Sequence, residues 1–541
     1  MSSGDRTAAS SGGIPLTVDL LLRRAVASSG DKEIVAIAES GMRESATWRG
    51  FGERVSRLAD GLRTLGVGPG DRIATFAWNS LQHLELFFAV PMAGAVLHPV
   101  NVRFTGEQIA FVLDHAEDCV AFVAASLTPQ LAKLLPGAVR LRTIVVIPDG
   151  SPVDPAFAAA VDYESLLSGG SSRRPADREL PGEDDAACLF YTSGTTGDPK
   201  GIVHSHRSVV LHSIGVCMAD AFAIRERDVA LPLTPLFHAA AWGIPYAAAM
   251  TGAGLVFAGP HLSPQEIAGC LAREHVTFAA GVPTFWLAVD QANPPAASFA
   301  TLERIVCGGS MVPGSLIRAY QQRGVTMQQG LGLSEMVALV AMTGHRSTAP
   351  ELTAEQVHTT QGVPVAGVEA RLTGEDGAEL SHDGATVGQL EVRSIWGAST
   401  YLDPGSGAAR DTAFLGDGWL RTGDVGTIDA YGQIRLTDRA KDVIKSGGEW
   451  ISSAALESML MDHPQVAAAA VIATADPRWG ERPLAIVVRR TGSAVSPEEL
   501  AGYLKALVPS WWVPDRFEFA EELPLTATNK FDKKLLRSRY A

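Results

Sequence analysis

The stretch YTSGTTGDPKG, residues 191–201, decides how this chain is read. Small hydroxyl residues and glycines crowd together in it. Exposed backbone N–H groups and side-chain donors of that kind can wrap phosphate oxygens, and Lys200 adds a positive charge. The spacing is not that of a Walker A loop, because Lys200 follows a proline and no Ser or Thr comes after it.

Upstream of this loop, helix-like and strand-like segments alternate. Residues 51–65 carry apolar side chains at helical spacing, Gly66, Gly68 and Gly70 punctuate, and 72–78 reads as a strand. Residues 81–95 again read as an apolar helix, followed by short strand-like runs at 96–99, 120–124 and 143–147. This pattern predicts α/β architecture with largely parallel sheets and helices on their faces. The segment GGSSRRPADRE, 169–179, reads as a linker into a second α/β unit starting near Asp184. From about 363 to 436 helical periodicity gives way to strands rich in Gly and Asp, which fits a small antiparallel or β-barrel-like subdomain. A compact α+β unit follows Asp438, and residues 1–13 read as a flexible tail.

At 541 residues the chain exceeds one core, and its 46% hydrophobic and 19% charged content is that of an ordinary globular protein. Its 45 basic and 59 acidic residues give a formal charge of −14, with no basic run longer than a pair, so nucleic acid is not expected as a partner. The five scattered cysteines and the polar N-terminus, which lacks an apolar signal-like core, lead us to expect a cytoplasmic protein. Residues 229–265 contain no Asp, Glu, Lys or Arg, but five prolines, together with Gly243, Gly252 and Gly254, break the run. Buried strands and loops are expected there, not a transmembrane segment.

Further motifs follow the phosphate loop in order: PLFH at 235–238, GVP at 281–283, GGS at 308–310, QGLGLSE at 329–335, RTGD at 421–424, DRAKDVIKSGGEW at 438–450 and PLTATNK at 524–530. Together they resemble the ANL superfamily of adenylating enzymes, over nearly the whole chain. The resemblance implies an ATP-dependent ligase, an acyl-CoA synthetase that adenylates a carboxylic acid with release of pyrophosphate. The acyl group then passes to coenzyme A and AMP leaves. It also implies a large N-terminal domain over 14–437 (two α/β subdomains plus the β-rich one), a hinge at 438–446 and a small mobile C-terminal domain over 447–541. ATP, Mg²⁺ and CoA are the implied cofactors and co-substrates, and a homodimer is one expected state.

By the same resemblance, Glu335 and Thr192 are the metal ligands, a hard-oxygen pair of the sort Mg²⁺ prefers. Nucleotide contacts are expected from Thr192, Ser193, Gly194, Thr195, Thr196, Gly197 and Lys200. Others are expected from Gly309, Ser310, Gly330, Leu331, Gly332, Ser334, Asp424 and Arg439. Asp424 would accept from the ribose hydroxyls. Lys530 would bridge the reacting carboxylate and the α-phosphate, where a cation is needed as two anions meet. His238, Trp242, Gly281, Val282, Gly308 and Gly332 would surround the acyl group, with Trp242 at the position that gates the acyl tunnel in medium- and long-chain fatty acyl-CoA ligases and in ligases for 3-methylthiopropionate. Lys441 matches the hinge, and Lys445, Gly447, Gly448, Glu449 and Trp450 the stretch that meets CoA.

Three positions depart from the family pattern, of which Ser334 for the usual threonine keeps the hydroxyl and is minor. Leu331 stands where an aromatic usually stacks on adenine, which removes a contribution of roughly 0.5–1.5 kcal/mol. Asn529 replaces the usual glycine before Lys530, a change that asparagine's tolerance of positive φ softens. Three alternatives stay open: an adenylating enzyme with another acceptor (a carrier protein or an amine) or another oxyanion such as nitrite, a non-catalytic adenylate-binding protein, and a P-loop NTPase. The loop spacing disfavours the last.

Overall fold

The computed structural model describes residues 13–134, 140–172, 180–192, 198–260, 262–344, 357, 360–374, 376–402, 413–439, 442–447, 449–526 and 531–540. Helices form where amphipathic spacing meets a cap. Thr47 accepts from the Gly50 N–H to start the Trp48–Thr64 helix, and Phe51, Val55, Leu58 and Leu62 line its buried face. Ser263 and Glu266 close a capping box on the Pro264–Arg273 helix, with Pro264 at its first turn.

Two large sheets carry the first part of the chain. One has seven strands, ordered Val161–Asp162, Thr143–Ile147, Val120–Ala124, Arg72–Phe76, Val96–Pro99, Ala186–Thr192 and Lys200–Ser205. The other has nine and is parallel through its centre, where Gly254–Phe257, Val229–Pro232, Phe278–Gly281, Arg304–Gly308 and Thr326–Gly332 lie side by side. The α/β expectation holds. The unit boundary near Asp184 does not, because the sheets exchange strands. The Ala186–Thr192 strand pairs back onto the first sheet through Leu97 and Cys188, while Glu33–Ile37 from the N-terminal region pairs with Gly254–Phe257 in the second. Composition marked a surface connection, whereas sheet membership is set by long-range backbone pairing that leaves no local signal.

The charge-free run 229–265 forms two buried strands, a short helix (Ile244–Thr251) and turns. No helix among the described residues is long and apolar enough to cross a membrane. The strand-rich region is an open four-stranded antiparallel sheet, Val368–Thr373, Gly388–Ser394, Leu420–Ile428 and Ile434–Arg439. The antiparallel alternative is therefore the one realised, and no closed barrel occurs among the described residues. The C-terminal unit packs the Ser453–Asp462 and Pro497–Lys505 helices on a sheet centred on Val466–Asp476 and Gly480–Arg489. It touches the large domain where the Ser315 N–H donates to Asp462 (2.8 Å) and the Gln291 amide donates to the Ala467 carbonyl (3.2 Å).

Four of the histidines buried in this interior lose proton affinity to their surroundings. Burial pushes His83, His204 and His206 down to about 4 and His212 to about 3, so all four are neutral in the native protein. Their folded values lie below the ordinary 6.5, so their contribution is complete above that pH and is lost as pH falls toward 4. Each adds a slope of up to about 1.4 kcal/mol per pH unit. Glu85 and Asp118, whose carboxyls burial raises, oppose the trend in the lower part of that window. Thermal unfolding followed from pH 7 to 5 should show a steadily falling Tm; an unchanged Tm would contradict the buried-histidine account.

Candidate active site

The strands that flank the phosphate-loop string pair antiparallel, and Thr192, ending one strand, faces Lys200, opening the next. Ser193, Gly194, Thr195, Thr196 and Gly197 lie outside the described residues. The segment 401–402 pairs onto these strands, with Tyr401 bridged to Ile202 and the Leu402 N–H donating to the Gly201 carbonyl at 2.7 Å. That pairing sets the Tyr401 ring 4.7 Å from the Lys200 ammonium and lets its hydroxyl donate to Glu335 Oε1 at 2.6 Å. A single tyrosine thus links the loop's cation to the acid named as a metal ligand. Tyr401 lies outside every motif, and no sequence signal could have found it, since its role comes from a strand pairing between positions far apart in the chain.

Glu335 sits in the Ser334–Met336 turn beyond the Thr326–Gly332 strand. The Ala398 N–H donates to its carbonyl at 2.8 Å. His204 Nε2 donates to the neighbouring Ser334 carbonyl, also at 2.8 Å, which fixes that histidine's tautomer. Further along, Val337 is held at φ 60°, ψ −50°, an unusual conformation for a β-branched residue.

A second group gathers at the carboxyl ends of the parallel strands, the usual place for ligands in open α/β sheets. Gly308 pairs with Gly330, and a Cβ on Gly308 would come within 2.7 Å of the Gly330 carbonyl oxygen. Trp242 overhangs the same spot, its Cη2 only 3.6 Å from where that Cβ would stand. Gly309 follows at φ 88°, and with Ser310 it is exposed at the strand mouth. Trp242 stands in a run of three left-handed residues, Ala241 (φ 48°), Trp242 (58°) and Gly243 (74°). His238 precedes this turn, and its carbonyl accepts from the Ala241 N–H at 3.0 Å. Gly281 and the buried Val282 lead into the Pro283–Ala292 helix. Replacing Gly308 by alanine should force these strand ends apart, destabilise by about 1–3 kcal/mol and raise the KM for both ATP and acid. Paired Tm and steady-state measurements check this, and unchanged values would mean the close approach is not needed.

Leu331, expected to cover adenine, is 8% exposed and packed into the main core, so its side chain offers little surface to a base. Its neighbours Gly330 and Gly332 leave the strand backbone accessible.

Asp424 and Arg439 face each other across two strands of the antiparallel sheet, with the Arg439 Nε 3.2 Å from the carboxylate. The carboxylate group is nearly buried while the arginine is about half exposed. Next to them, Asp438 Oδ2 accepts from the Ser453 N–H (2.8 Å) and hydroxyl at the start of the Ser453–Asp462 helix. Lys533 donates to the Ser453 hydroxyl at 2.7 Å and pairs with Glu457 at 2.8 Å. Burial opposes the Lys533 charge, but Glu457 and Asp438 outweigh it and raise its pKa. The first residue of the expected hinge is therefore tied to the C-terminal unit. Lys441, Gly448 and Lys530 lie outside the described residues, as do the side chains of Glu449 and Trp450. Lys445 is exposed, its N–H donating to Glu481 at 2.8 Å, and Gly447 (φ 62°) lies against the Trp479 ring.

This geometry joins the Lys200 cation to the Glu335 carboxylate through Tyr401, sets Trp242 against Gly308 at the parallel strand ends, and places a carboxylate–arginine pair on the four-stranded sheet. The AMP-binding enzyme family matches residues 22–402, and its C-terminal domain matches 455–530. The chain belongs to this family. It is 41% identical to a long-chain-fatty-acid–CoA ligase of Thermus thermophilus, over 96% of this chain and 94% of that one. It is 38% identical to a 3-methylmercaptopropionyl-CoA ligase of Ruegeria pomeroyi, over 97% of each. Its fold matches that of the anthranilate CoA ligase AuaEII in complex with anthranoyl-AMP, with a TM-score of 0.86 at 23% identity over 97% of this chain and 98% of the other. This family member is an AMP-forming acid–thiol ligase, which adenylates a carboxylic acid with ATP and forms its CoA thioester.

Proposed function

We propose that the acid is a fatty or other small hydrophobic carboxylic acid, received in a pocket floored by Gly308 and covered by Trp242. The observation that carries this reading is the Trp242 indole standing over a glycine with no side chain of its own. The 3-methylmercaptopropionyl-CoA and long-chain-fatty-acid–CoA ligases, related over nearly the full length, support it.

In this reading Lys200 and the residues 193–197 receive the ATP phosphates, and Asp424 accepts from the ribose hydroxyls while Arg439 holds its charge in place. Glu335 and Thr192 supply the hard oxygens that fit Mg²⁺, which would neutralise phosphate charge when bound. Tyr401 orients Glu335 by its hydroxyl and steadies Lys200 by its ring. The acid's carboxylate oxygen bonds to the α-phosphorus and pyrophosphate leaves, with Lys530 set against the negative charge of both partners. The C-terminal unit then turns about 438–446. The CoA thiol, losing its proton, attacks the acyl carbonyl and AMP departs. Lys445, Gly447, Gly448, Glu449 and Trp450 would face CoA in that second step. We place the protein in the cytoplasm and propose a homodimer as its assembly.

Pyrophosphate release against straight-chain acids from propionate to palmitate, with 3-methylthiopropionate and benzoate, each with and without CoA, tests the proposal. Release confined to hydrophobic aliphatic acids, with thioester and AMP as products, is the expected result. A preference for benzoate or a polar acid would overturn the acid class, and acid-dependent release without thioester would point to another acceptor.

A further inference from the structure

Tyr191 opens the phosphate-loop string, and the roles given above leave its side chain unused. Its ring lies between two imidazoles, with centroids 5.0 Å from His98 and 5.8 Å from His115. Its hydroxyl shares a hydrogen bond with His115 Nδ1 at 2.7 Å. His98, on the Val96–Pro99 strand, is fully buried, and its Nδ1 is hydrogen-bonded to Asp118 Oδ2 at 2.7 Å. Asp118 is buried to the same extent. Among the described residues His98 Nε2 and Asp118 Oδ1 have no hydrogen-bond partner. Apolar side chains of similar volume would fill this space at lower cost, so packing alone does not account for the pair.

Both supports come from one turn. The Gly106–His115 helix ends at His115, Glu117 takes φ 57°, and Asp118 follows it to meet His98. Phe111 stacks on the His115 ring at 5.1 Å, and Arg72 Nη1 donates to the Ala116 carbonyl at 2.8 Å, which ties the turn to the Arg72–Phe76 strand. A left-handed non-glycine residue persists where its surroundings over-determine it. The Tyr191 ring in turn carries the stem of the loop. Tyr191 pairs with Gly201, and a Cβ there would come within 3.0 Å of Tyr191 Cζ and 3.2 Å of Leu402 Cβ. The next pair outward is Thr192 with Lys200, so a displaced Tyr191 ring displaces both. We propose that Tyr191 is a positioning residue for triphosphate binding, held by the His98–Asp118 pair and by His115, so that Thr192 and Lys200 are set before Mg·ATP arrives. The inference rests on the roles given above to Thr192 and Lys200.

Mg·ATP and AMP are the two probes, because AMP lacks the β- and γ-phosphates. Dissociation constants for both are measured by calorimetry without acid or CoA, with Tm alongside. Asp118→Ala removes the His98 partner, whereas Asp118→Asn keeps the shape and a hydrogen-bonding group for Nδ1. Asp118→Ala should weaken Mg·ATP binding about fivefold or more and leave AMP within about twofold, and Asp118→Asn should recover most of the loss. Tyr191→Phe keeps the ring, loses the bond to His115 and should shift the ratio of ATP to AMP affinity by about fivefold. This variant carries the test if Asp118→Ala does not fold. An unchanged ratio in Tyr191→Phe, or in a folded Asp118→Ala, would make the cluster purely structural and overturn the proposal. Lys200→Ala leaving the Mg·ATP affinity unchanged would instead overturn the phosphate-loop roles, a separate outcome from a separate variant.

Discussion

Lys530→Ala should slow acid-dependent pyrophosphate release by about 10²–10³-fold, the usual cost of removing one group that stabilises developing charge. The carboxylate and the α-phosphate repel each other as they approach, and Lys530, at the end of PLTATNK, is the cation we propose for that encounter. Once the acyl-adenylate exists, that repulsion is gone. Thioester formation from synthetic acyl-adenylate and CoA should therefore remain within about threefold of the parent rate. Rapid-quench assays of each half-reaction read the two effects apart. Equal losses in both halves would move Lys530 out of the adenylation step and into general folding or domain closure. The neighbouring Asn529 gives a second handle: Asn529→Gly, matching the family's usual residue, should leave both half-reactions nearly unchanged if asparagine already meets the loop's need.

The second large effect is expected at Glu335. Glu335→Gln keeps a hydrogen-bond acceptor for Tyr401 and nearly the same volume, but removes the charge a divalent cation needs. A fall of about 10²–10³-fold in kcat/KM is expected, partly offset by raising the Mg²⁺ concentration, with little change in Tm. Tyr401→Phe should cost far less, about tenfold, because it removes one charge-assisted hydrogen bond and leaves the carboxylate in place. If Tyr401→Phe proved as damaging as Glu335→Gln, the tyrosine would itself belong to the reacting centre. If Glu335→Gln were harmless, the metal would have to be held elsewhere.

Much of this molecule is written locally. Tyr191–Gly201, QGLGLSE at 329–335 and RTGD at 421–424 point to the phosphate loop, the expected metal ligand and the expected ribose acid directly. The helices of the first α/β region follow from apolar spacing and capping residues such as Thr47 and Ser263. These features are legible because each depends on neighbours a few positions apart, where residue type sets backbone conformation and donor placement.

Family, reaction class, α/β character and the expected site residues were all readable from the linear order of residues. Folding in three dimensions settled the rest: which strands share a sheet, that Tyr401 joins Lys200 to Glu335, that Leu331 turns into the core, and that Tyr191 lies between His98 and His115. Those facts arise from contacts between residues far apart in the chain. They are fixed by packing and backbone pairing in space, and neither has a period or a motif that a linear reading can detect.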